Sequence, residues 1–242
     1  MKLRAVIYRQ GFSPQKIVEA LDAAQICQAV NEAMAEWGCP KRIKIDNGLP
    51  LVPGGNKDIP TLTQLWWIGL GIEVKLNDAN TPQQNGTVEG LQGICYRWSN
   101  PAAYQDMASF QQRINETNRI QREVYRIRKQ GDKTRRELFP ELWQNSRQYD
   151  PENFNIQKVC DNLATRVWER KVNKGGNFRF WTTVIYIGPK FEAQTVTITY
   201  DPSERQWFIR AKDGRLLRTY TKEFFTEVQL LEHAGISKNL GK

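Results

Sequence analysis

At Ala164 the hydrophobic period of the chain changes from helical to strand-like and does not change back. The segments 167–172, 182–187, 195–200, 206–211 and 215–220 read as strands divided by turns, one of them the hairpin signal Asp213-Gly214. Five short strands in about 60 residues predict a small all-β barrel of the SH3-like kind over 164–228, with a tail over 229–242. Trp168, Phe178, Phe180, Trp181, Tyr186, Trp207 and Phe208 interleave with Arg166, Arg170, Lys171, Lys174, Arg179, Arg205, Arg210 and Arg218. Strand alternation sends aromatic rings inward and cations outward, where they would meet phosphate.

Ahead of that change the pattern is mixed. Segments 3–8 and 16–21 read as a hairpin, 23–37 as an amphipathic helix stopped by Gly38 and Pro40, and 42–45 as a strand ending at Asp46-Asn47-Gly48. A Pro- and Gly-rich loop over 50–60 leads to a helix over 61–70, a strand over 72–76, and a polar stretch over 77–86. A helix over 87–98 follows, then a long amphipathic helix over 104–128 with Phe110, Ile114, Val124 and Ile127 on one side. The order predicts an α/β layered core over 1–100 and a basic helix and linker over 101–163, with a short helix near 138–143.

Charge separates these parts. Residues 1–100 hold 10 Lys and Arg against 9 Asp and Glu, whereas 101–242 hold 25 against 17. Within 113–136 the cations are Arg113, Arg119, Arg122, Arg126, Arg128, Lys129, Lys133, Arg135 and Arg136, against Glu116, Glu123 and Asp132. Such a surplus suits an anionic polymer. Cys27, Cys39, Cys95 and Cys160 are scattered and His233 is the single histidine, a pattern without zinc-ligand pairs that predicts four reduced core cysteines. No apolar run is long enough for a bilayer and no signal peptide is legible. A cytoplasmic, nucleoid-associated location is the expectation.

Three pieces in order carry more specific information: the strand ending in Asp46-Asn47-Gly48, the apolar Trp66-Trp67-Ile68-Gly69-Leu70-Gly71-Ile72, and Thr81-Pro82-Gln83-Gln84-Asn85-Gly86-Thr87-Val88-Glu89. Together they resemble the catalytic core of retroviral integrases and bacterial insertion-sequence transposases, the DDE recombinases with an RNase H-like fold. The resemblance covers residues 1–100 and extends more loosely to the basic helix and barrel beyond. It implies two-metal phosphoryl transfer on double-stranded DNA with Mg²⁺ or Mn²⁺, because hard cations need hard oxygen ligands. It assigns Asp46 and Glu89 as catalytic, metal-holding carboxylates. Gln83 and Asn85 then approach a DNA end, and Arg113, Arg119, Arg122, Arg126, Arg128, Lys129, Arg166, Arg170, Lys171 and Arg210 contact DNA. A homo-multimer is implied by the same resemblance. Trp66 and Trp67 read as core packing.

Two departures stand out. Asp46 and Glu89 have 42 residues between them, more than the family's usual spacing, and the 50–60 loop can absorb the excess. The family's first aspartate, on a strand ahead of the hairpin, has no counterpart: no acid precedes Glu19, and Asp22 lies at a strand–helix junction. The expectation is an RNase H-like core lacking its first strand, as a fragment, a decayed or domesticated copy, or a rearranged fold. The alternative function is a non-catalytic DNA-binding remnant.

Overall fold

The computed structural model describes residues 22–45, 48, 50–52, 58–77, 86–140 and 147–236. The hairpin expected over 3–8 and 16–21 lies outside them. Among the described residues the chain is mixed α/β, with seven α-helices and several antiparallel sheets. None of these helices is long and apolar enough to cross a membrane. The chain divides into two compact units, one of residues 1–50 and 75–150, the other of 51–74 and 151–242. That division cuts across the expected 1–100 core, because residues 51–74 group with the strand-rich part.

In the first unit, α1 (Ala23–Trp37) starts at Asp22, whose carboxylate accepts from the Gln25 N–H at 2.8 Å, and stops at Gly38 with φ 85°. The short strand β1 (Arg42–Ile45) pairs with β2 (Glu73–Leu76), and the Asn77 N–H donates to the Ile45 carbonyl at 2.9 Å. Helices α3 (Gly86–Ser99) and α4 (Met107–Glu123) pack together. On α4, Phe110 and Ile114 are buried as expected. Further along, its inner face turns polar with Thr117, Asn118 and Gln121, and the Gln121 amide donates to Cys95 Sγ at 3.3 Å. The helix expected to run to residue 128 ends at Glu123: Val124 is 55% exposed and Arg126 enters a strand.

Two-residue strands β3 (Arg126–Ile127) and β4 (Lys133–Thr134) form an antiparallel hairpin, followed by α5 (Arg135–Leu138). Thr134 and Glu137 form a capping box at the start of α5.

The second unit is built on aromatic packing. Helix α2 (Leu62–Gly69) is buried on nearly every side and packs on α6 (Ile156–Ala164) and α7 (Glu227–His233). A helix buried this thoroughly must pair its polar side chains. Thr63 Oγ1 lies 2.7 Å from His233 Nε2, and the Gln64 amide donates to the Leu51 carbonyl at 2.7 Å. Trp66 stacks on Phe154 at 4.8 Å, and a side chain at Gly69 would overlap that same ring. Both Trp66 and Trp67 are core residues, as expected.

The strands are β5 (Trp168–Lys171), β6 (Asn177–Phe180), β7 (Thr183–Tyr186), β8 (Thr195–Asp201), β9 (Gln206–Arg210) and β10 (Leu216–Tyr220). They form a four-stranded antiparallel sheet, β10-β9-β8-β5, and a separate hairpin, β6-β7. Val196, Ile198, Tyr200, Trp207, Ile209, Phe178 and Phe180 point into one core, while Thr195 and Lys171 are exposed. Trp207 lies within 5.1 Å of Phe180 and 5.6 Å of Trp168, centroid to centroid.

The expected barrel does not close through its backbone among the described residues; arginine side chains cross the two seams instead. Arg170 Nε of β5 donates to the Arg179 carbonyl of β6 at 3.2 Å, and Arg218 Nη1 of β10 donates to the Tyr186 carbonyl of β7.

Candidate nucleic-acid interface

The two carboxylates named for metal chemistry fall at the limits of the described chain. β1 ends at Ile45, the residue before Asp46, and Asp46 itself lies outside the described residues, as do Gln83 and Asn85. Glu89 is in the first turn of α3. Among the described residues no three His, Cys, Asp or Glu side chains gather into a group able to hold a metal ion. All four cysteines are buried and none is in a disulfide; burial pushes the Cys27 thiol up to about 12, against an ordinary 9.0.

The cations sort by what lies within their reach. On α4, Arg113 Nη2 donates to the Trp98 carbonyl at 2.8 Å. Arg119 forms a two-point bridge to Glu116, Nε and Nη2 each 2.8 Å from a carboxylate oxygen. That hydrogen-bonded bridge lowers the Glu116 pKa and raises that of Arg119. The Arg122 guanidinium sits 4.8 Å over the Trp37 ring, and its partial burial lowers its pKa. Arg113 and Arg122 thus tie the basic helix to neighbouring elements, and Arg119 pairs within the helix.

In the second unit Arg170 is a clamp. Its Nη1 and Nη2 reach Asp58 Oδ2 and Oδ1 at 2.8 and 3.0 Å, and its guanidinium lies 5.6 Å over Phe180. The Trp168 indole N–H donates to the Asp58 carbonyl at 3.1 Å, so one residue binds both neighbours. Only 15% of the Arg170 side chain is exposed, which removes it from the set offered to phosphate. Arg166 is half-buried, donates to Asn162 Oδ1 at 3.1 Å, and has its pKa lowered by that burial. Arg210 lies over Phe208 at 5.2 Å, and Lys171 is exposed on β5.

The remaining candidates cluster on the β3–β4 hairpin. Arg126 Nη1 donates to the Asp132 carbonyl at 2.7 Å and stands 3.7 Å from Glu137. The Arg128 and Lys129 side chains are exposed and form no hydrogen bond or ion pair with other described residues. Lys133, absent from the DNA-contacting set named from sequence, shares this surface and is also exposed. Its signal lies in the dense basic run over 113–136, in the part that reads as linker beyond the expected helix end at residue 128. No family model and no curated protein matches the sequence.

Proposed function

We propose that this chain is a DNA-binding protein of the DDE recombinase type, contacting duplex DNA through phosphate with little sequence preference. The reading combines an RNase H-like core with an SH3-like module. The observation that carries it is the framing of the two carboxylates: β1 stops immediately before Asp46, and α3 opens with Glu89 in its first turn. A strand end and a helix start are where this chemistry needs its acids. The cation surplus after residue 100 supports the same partner.

When bound, divalent ions would polarise phosphate and activate an attacking oxygen. Asp46 and Glu89 are the two residues of this chain that would hold them, and their ordinary role is to supply charged oxygens. Two carboxylates without a third leave no bridging ligand, so duplex binding without strand transfer is the expected behaviour of the 242-residue chain. The test mixes the chain with labelled supercoiled plasmid in Mg²⁺ or Mn²⁺ and follows retention and product formation. Salt-sensitive retention without nicked or joined DNA is expected. Metal-dependent products abolished by Asp46→Asn would show that a third ligand completes the site. Absence of DNA binding at low salt would overturn the proposal.

A further inference from the structure

The exposed tip of the β3–β4 hairpin differs from the basic helix α4 beside it in how its cations are engaged. Its base is fixed at several points. Arg126 pairs with Thr134 and Ile127 with Lys133 across the ladder. The Asp132 N–H donates to the Ile127 carbonyl at 3.2 Å, closing the turn. The Arg135 guanidinium donates to the Gln121 carbonyl of α4 at 2.8 Å and lies 5.9 Å from the Tyr125 ring centroid. Thr134 is buried, and its capping box with Glu137 starts α5 on the next residue. Between these anchors runs a single 3-10 turn, Arg128–Gln130, followed by Gly131 and Asp132 with φ of 74° and 56°. Two consecutive left-handed residues make this reversal sharp.

The cations therefore sit on a stiff, narrow projection. The Arg128 and Lys129 side chains form no ion pair with a described acid, and Lys133 lies in the field of Glu137 without bonding to it. Glu137 is committed to the Thr134 backbone and faces Arg126, which leaves Asp132 as the one exposed acid within the turn. An already ordered loop spends little conformational entropy when it meets a polyanion. The arginines of α4 cannot compete, since each would first have to give up a partner.

We propose that this tip, through Arg128, Lys129 and Lys133, is the principal phosphate-gripping element for duplex DNA, a role that rests on the DNA-binding reading above. The α4 arginines act as its scaffold rather than as the contact surface. The probe is a fluorescent 30-base-pair duplex titrated with the full chain across a salt series. Each phosphate contact contributes about 0.9 to the slope of log affinity against log salt, so Arg128→Ala/Lys129→Ala/Lys133→Ala should lower it by about 2 to 3. Asp132→Asn removes the opposing charge while tolerating the left-handed backbone, and should tighten binding at low salt. Arg119→Gln should leave the slope unchanged, short of the about 0.9 that loss of even one phosphate contact would remove. Unchanged slope in the triple variant, or a larger loss from Arg119→Gln, would overturn the assignment while the parent still binds. Failure of the parent chain to bind the duplex would instead defeat the DNA-binding reading itself. Far-UV circular dichroism of each variant separates lost contacts from lost fold.

Discussion

Arg170 and Arg128 are the same residue type in opposite circumstances. Arg170 has a carboxylate, two carbonyls and an aromatic face within reach, and it uses all of them. Arg128 stands on a turn whose nearby acids are otherwise engaged or too far to pair. The strand-rich unit consumes its arginines as seam bridges because its sheets stop short of closing and leave carbonyls to satisfy. The hairpin of the other unit closes its own ladder, so its cations remain for a partner. Charge counts alone cannot tell these cases apart; local acceptors decide.

The largest expected effect tests whether the aromatic core holds the strand-rich unit independently of those bridges. Trp207 is 2% exposed, with Tyr200, Phe180, Phe224 and Trp168 rings around it. Trp207→Ala should cost about 3–5 kcal/mol, through lost transfer energy and the cavity left behind. Urea unfolding followed by tryptophan fluorescence checks this. A loss below about 1 kcal/mol would mean that the site collapses easily and the core is not the main support.

A smaller effect separates clamp from contact. Arg170→Met keeps an apolar chain near Phe180 but removes the Asp58 pair and the bridge to Arg179. The cost should be about 1.5–3 kcal/mol, the range for hydrogen bonds to charged groups. Asp58→Asn should recover part of that loss in the double variant, because the orphaned carboxylate disappears with its partner. The DNA salt slope should stay unchanged, short of the about 0.9 that one lost phosphate contact would remove. A drop as large as that of the tip triple variant would place Arg170 on the DNA surface and erase the contrast.

How much of this could be read from the sequence depended on how local the signal was. Helix 23–37 was legible to the residue because Asp22, a clean apolar stripe and Gly38 all agree. The 167–172, 195–200 and 206–211 strands were legible from alternation; the first differs from β5 by one residue at each end, the others from β8 and β9 by one residue at one end. Strand β6 was hidden: Asn173-Lys174-Gly175-Gly176 reads as a turn, and the short Asn177–Phe180 run was absorbed into it. Helix α6 was read as linker although Ile156, Val159, Cys160 and Leu163 follow a helical stripe behind the Asn155 cap. Helix α7 was read as tail despite its Thr226–Gln229 capping box. The grouping of 51–74 with the strand-rich unit had no sequence signal, since it depends on non-local packing of α2 against α6 and α7. The same holds for the site: basic residues were countable, but which of them already had partners was not.

The smallest expected effect asks whether the α4 scaffold and the hairpin tip respond separately to acid. Asp106 caps α4, with its Oδ1 accepting from the Ser109 N–H at 2.8 Å and its Oδ2 from the Ser109 hydroxyl at 2.6 Å. These bonds, the hydroxyl one foremost, hold the Asp106 carboxyl below its ordinary 3.8. A carboxylate whose folded pKa is depressed stabilises the fold fully above the unfolded value and loses that contribution as pH falls through the folded one. The first turn of α4 should therefore fray only below about pH 3.8, read as faster exchange of the Ser109 amide. Asp106→Asn keeps a competent cap but cannot titrate, and should flatten that response. Arg128, Lys129 and Lys133 take no part in that cap. An anion bound at the tip should consequently feel no step where the helix end opens. A coincident step in anion binding and Ser109 exchange, lost together in Asp106→Asn, would show that the helix end and the hairpin move as one element rather than as scaffold and contact.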